Sequence, residues 1–256
     1  MRLLKALFDF YIQSSVHVAL AIYALVRITE VSLRLPAIES VSVMVFYGTI
    51  VGYNFLKFFK PFQNGNFDFK KNRFLIGLTF FSLIASIYYF IQLPNSIQIY
   101  IIKIGLWVVI YPFFRKFGFL KLFWVSFCVT GITAYTPLIL ENEIKVSGII
   151  VLIQRFLIVI SLLVPFEILD SQIDDDSMKT LPQRFGIFTT KGFGIVLLLP
   201  FMGLEFFKEN IEIATFVIAI ITAFFIGFTT LKRDTYYTSF WVESVPILWW
   251  LVLVYT

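Results

Sequence analysis

The chain has 256 residues, of which 59% are hydrophobic and only 14% charged, with a formal net charge of +5. Soluble domains sit near 45–50% apolar and about 25% charged. This composition therefore excludes a water-soluble globular enzyme or nucleic-acid-binding domain, and it predicts a single all-α, polytopic integral-membrane domain over residues 1–256.

A spanning helix needs about 20 largely apolar residues. Nine stretches qualify, near 8–26, 37–56, 74–92, 97–114, 120–140, 147–168, 192–207, 211–231 and 241–256. The first follows Arg2 and Lys5 without a convincing cleavage site and reads as an uncleaved helix. With the N-terminus inside, 15 of the 21 basic residues fall on the cytoplasmic side and four on the other. Lys103 and Arg155 lie within spans. This asymmetry predicts nine transmembrane helices and a cytoplasmic N-terminus. Two inside loops are long, 57–73 and 169–191, and are where polar chemistry can gather.

The single cysteine, Cys128, rules out an intramolecular disulfide and reads as packing. The single histidine, His17, rules out a multi-histidine metal site and reads as a packed or hydrogen-bonded side chain. Any metal must be held by oxygens, which makes Mg²⁺ the natural candidate. Glycine-rich nucleotide-binding loops and zinc-protease helices are absent.

The second long loop takes up most of "PFEILDSQIDDDSMKTLPQRFG", which follows a long apolar run and holds Glu167, Asp170, Asp174, Asp175 and Asp176 within ten positions. Glu167, Asp170 and Asp174 are spaced i, i+3, i+7 and share one face of a continuing helix. Carboxylates at a helix C-terminus oppose the macrodipole and repel one another. A divalent cation would neutralise them, and a bound Mg²⁺ next to Lys and Arg suits a diphosphate. The competing reading is a solvated acidic loop in which Asp175 and Asp176 mark a turn or cap a helix.

This stretch resembles the second aspartate-rich motif of the UbiA-type intramembrane prenyltransferase superfamily. Asp170, Asp174, Thr180, Leu181, Pro182 and Gly186 carry the match. The spacing to Thr180 is one residue shorter than in common members, and Met178 or its neighbours replace an expected glycine. "YPFFRK" at 111–116 is similar to a second family element, through Tyr111 with Arg115 and Lys116. The resemblance implies a nine-helix UbiA-like bundle in a bacterial inner membrane, with its acidic loop cytoplasmic. Asp170 and Asp174, with Glu167, would bind Mg²⁺, and a polyprenyl diphosphate or another lipid would be the ligand. No protein partner can be inferred.

The first family motif is degenerate. In "YNFLKFFK" Asn54 is in place, but Phe55 and Phe58 stand where aspartates are expected. Lys57 and Lys60 sit beside them and could bind a diphosphate directly, or only anchor the helix at the headgroups. Asn54, Lys57, Lys60, Tyr111, Arg115, Lys116 and Lys179 are thus the candidate diphosphate-binding residues. Three functions follow: a prenyltransferase using Asp170 and Asp174, a non-catalytic isoprenoid or lipid binder of the same fold, and a transporter suggested by Arg155 and Lys103. Arg155 is expected to line a cavity or to pair with a polar neighbour such as Tyr135.

Overall fold

The computed structural model describes residues 2–65, 68–114, 117–141, 143–175 and 178–255, with only the backbone for Arg2 and Lys60. Among the described residues the fold is all-helical. The helices are α1 (Arg2–Gln13), α2 (Val16–Ser32), α3 (Glu39–Gln63), α4 (Arg73–Phe90), α5 (Asn95–Phe114) and α6 (Leu120–Thr130). After a π-helical turn at Gly131–Tyr135 come α7 (Thr136–Leu138), α8 (Val146–Asp170), α9 (Leu181–Val196) and α10 (Leu198–Gly203). A 3₁₀ turn at Leu204–Phe207, α11 (Ile213–Phe228), a second π turn at Tyr237–Val242 and α12 (Val245–Tyr255) complete the chain. Six helical segments among the described residues are long and apolar enough to cross a membrane, or seven if α1 and α2 make one bent span.

The first expected span is divided. Lys5, Asp9 and Gln13 fall on one stripe of α1, while Leu3, Leu4 and Leu7 are exposed on the rest of its surface. That is the pattern of a helix lying along a membrane surface. α2 then departs at 54°. The bend falls at Ser14–Ser15, where Ser15 has φ 64°. The Ser15 hydroxyl donates to Asn54 Oδ1 at 2.7 Å, and Asn54 Nδ2 donates to the Ser14 carbonyl and to Thr79 Oγ1. One buried amide therefore holds the break against α3 and α4.

Both long loops are shorter than expected. α3 continues through Pro61 to Gln63. α9 starts at Leu181, 11 residues before the expected span, because "TLPQ" is a helix start. Gln183 Oε1 accepts from the Thr180 backbone N–H at 2.9 Å, and Pro182 sits in the first turn, where a missing N–H is harmless. Gly186, at φ 80°, bends the helix that follows.

α8 is the axis of the molecule. Its most apolar window is 56% buried, against 11% for α4 and α5. α8 packs on α6, α9, α10 and α11, and α2 packs between α3 and α12. One apolar core gathers α2, α8, α11 and α12, and a second gathers α2, α3 and the start of α5. Arg155 is embedded in this arrangement and 1% exposed. Its guanidinium donates to the Leu25 carbonyl at 2.6 Å, Thr133 Oγ1 at 3.2 Å and Thr29 Oγ1 at 3.1 Å, and lies 5.5 Å from the Trp249 ring centroid. The π turn supplies Thr133 to it, while the Thr133 carbonyl accepts from Thr29. Arg155 thus pairs with threonines and a carbonyl and holds α2, α8 and the π turn together. Tyr135 instead packs against Tyr100.

Candidate functional site

The acidic end of α8 is organised by a residue that the motif reading passed over. Lys121, in the first turn of α6, is 4% exposed. Its ammonium lies 2.9 Å from Glu167 Oε1 and 2.7 Å from Asp174 Oδ2. The i, i+7 relation does bring these two acids together. Beyond Asp170 the backbone keeps a helical turn, with the Asp174 N–H donating to the Asp170 carbonyl at 2.8 Å. The side chains of Lys121, Glu167 and Asp174 are all at most 7% exposed.

The loops at this end are locked backbone to backbone. Gly118 has φ 58°, and a Cβ there would meet the Met178 carbonyl oxygen at 2.3 Å and that of Lys179 at 2.7 Å. Only glycine fits such an approach at that backbone angle. Gln183 Nε2 donates to the Asp174 and Asp175 carbonyls from the other side.

An apolar cavity of about 350 Å³ lies between α3, α4, α5 and α6. Along α3 its wall runs from Met44 to Leu56, a rise of about 18 Å at 1.5 Å per residue. Gly48, Gly52 and Gly105 leave space in the wall, and Cys128 lines it from α6. One end carries Tyr53, Tyr111 and Trp124. Lys121 precedes Trp124 and Val125 by one turn on the same face of α6, so the ion-paired group adjoins this end. The Tyr53 hydroxyl is within electrostatic reach of Tyr111, Asp170 and Glu243. Lys57 is within reach of Glu243.

Asn54 is buried, and both its amide N–H donors are used within the fold, leaving none for a diphosphate. Lys57 donates to the Gln13 carbonyl at 2.9 Å and so caps α1. Lys179 is exposed with φ 51°. Arg115 and Lys116, and the Lys60 side chain, lie outside the described residues. Lys103 is exposed on α5, and His17 is buried. His17 bonds the Tyr11 hydroxyl through Nδ1 at 2.7 Å and the Phe240 carbonyl through Nε2 at 3.0 Å.

The acids do not fit the implied Mg²⁺ as they stand. Among the described residues no three His, Cys, Asp or Glu side chains could together hold a metal ion. Between Glu167 and Asp174 the charge is met by Lys121.

Lys121 and Tyr53 are the site residues that motif reading missed. Lys121 had one sequence signal, its position between Leu120 and Leu122 inside an apolar run. Comparison with protein-family models, with curated proteins and with solved structures gives no match.

Proposed function

We propose that the chain is a UbiA-like membrane prenyltransferase, moving a prenyl group from a polyprenyl diphosphate to an acceptor. The observation that carries this reading is an elongated apolar cavity ending at Tyr53 and Tyr111 beside the acidic end of α8. The isoprenoid tail would lie along the glycine-lined wall and the diphosphate at the tyrosine end. Breaking the allylic C–O bond sends its electron pair to the leaving diphosphate; an electron pair of the acceptor then forms the new bond to the allylic cation, and the acceptor gives up a proton to the diphosphate or to water. Tyr53 and Tyr111 can donate hydrogen bonds to the leaving group, and their rings can shelter the cation. Lys57 and Lys179, with Arg115 and Lys116 beyond the described residues, supply positive charge. The basic residues favour a nine-span topology with the acidic end on the cytoplasmic side, and the family resemblance is what points to a bacterial inner membrane.

A second reading is a non-catalytic isoprenoid or lipid binder. Phe55 and Phe58 favour it, because they stand where a diphosphate-metal site would need acids. Diphosphate release separates the two. Purified protein is incubated with farnesyl and longer polyprenyl diphosphates and membrane extract as acceptor source, and released diphosphate is counted. Turnover should fall about 100-fold in Tyr53→Phe with Tyr111→Phe if these donors stabilise the leaving group. Binding without release supports the second reading, and absence of binding contradicts both.

A further inference from the structure

We infer that Lys121 is a built-in cation that holds the position a divalent metal would take between Glu167 and Asp174, so that lysine and metal exclude one another at this end of the protein. The ammonium is within charge-assisted hydrogen-bond distance of both carboxylates, at 2.9 and 2.7 Å. A Mg²⁺ ion needs near-octahedral oxygens at about 2.1 Å, in the space where this ammonium sits. The lysine is not a mobile surface group. It is 4% exposed, and the turn that carries it is set by Gly118 against the Met178 and Lys179 carbonyls.

The acids come from α8 and the residues just after it, and the cation comes from α6, which packs along α8. The arrangement therefore forms with the helix pair and needs no ion from solution. Removing only the ammonium would leave two buried carboxylates facing one space, with a charge deficit that a divalent ion could fill. With the ammonium in place, those two carboxylates are already neutralised in part by a protein cation and offer no vacant site to a chelatable metal.

The test uses the full chain in detergent with Mn²⁺ as a spectroscopic probe and Mg²⁺ as competitor. Four proteins are compared: wild type, Asp174→Asn, Lys121→Met, and Lys121→Met combined with Asp174→Asn. Wild type and Asp174→Asn should bind the same amount of Mn²⁺. Lys121→Met should take up one further ion per chain, displaced by Mg²⁺, and its melting temperature should rise with Mn²⁺. The combined variant should lose that ion. Uptake by wild type that Asp174→Asn abolishes would overturn the inference, and so would a folded Lys121→Met that gains no ion. If Lys121→Met does not fold, the first two proteins still decide between the outcomes. Metal occupancy is read without any lipid, so a failure of prenyl transfer leaves this result intact.

Discussion

At the scale of single residues, two positions decide whether the acidic end can form. Gly118 tolerates no Cβ, because the carbonyls of Met178 and Lys179 occupy that space and φ is 58°. Gly118→Ala should cost about 1–3 kcal/mol from strain alone, a fall of several degrees in melting temperature at about 2–4 °C per kcal/mol. Gly77→Ala is the control, since a Cβ there meets nothing within 4 Å. It should be neutral or slightly stabilising, as a helical glycine gives way to alanine. Lys121→Met leaves Glu167 and Asp174 buried without their partner and should cost about 3–5 kcal/mol in denaturant unfolding. Adding Glu167→Gln should recover part of that loss, because the two changes are coupled. The acids were legible in the sequence because i, i+7 spacing on a helix is local geometry. Their partner was not, because Lys121 lies 46 positions before Glu167 and only the packing of α6 on α8 joins them.

At the scale of helices, the cavity depends on small residues facing it from α3 and α5. A Cβ at Gly52 would meet Val108 Cγ1 only at 3.9 Å, and one at Gly105 meets nothing within 4 Å. Gly52→Leu and Gly105→Leu should therefore fill the cavity while leaving the fold intact. Cys128 gives the readout, being the only cysteine in the chain and part of the wall. A prenyl diphosphate should slow modification of Cys128 by a small apolar thiol reagent in wild type and have little effect in the filled variants. Equal protection in both would place the lipid elsewhere. The glycines were visible in the sequence, but nothing local distinguishes a glycine facing a void from one facing lipid. The start of α9 is different. Thr180 and Gln183 form a recognisable helix start, yet the polar run around them reads as loop when span length is the criterion. The bend between α1 and α2 falls at a serine pair inside an otherwise apolar stretch, and hydropathy alone passes over it.

At the scale of the whole molecule, α8 joins two functions: Arg155 fastens the core, and Glu167 with Asp174 forms the acidic end. Arg155→Lys keeps the charge but cannot reach Leu25, Thr29 and Thr133 together. Each lost charge-assisted bond should cost about 1.5–3 kcal/mol, measurable as reduced thermal stability while prenyl diphosphate binding by the folded variant stays unchanged. That separation would assign Arg155 to the fold, as its partners indicate. An arginine within an apolar run was a clear sequence signal of an internal polar contact. Its partners were hidden, because the π turn at 131–135 aims Thr133 at it and no local pattern announces such a turn.

The most direct test is equilibrium binding of a radiolabelled polyprenyl diphosphate to the purified chain, compared with Gly52→Leu and with Tyr53→Phe plus Tyr111→Phe. Saturable binding near one ligand per chain, lost when the cavity is filled and weakened when the hydroxyls are removed, is the predicted result. No saturable binding, or binding unchanged by filling the cavity, would contradict the account.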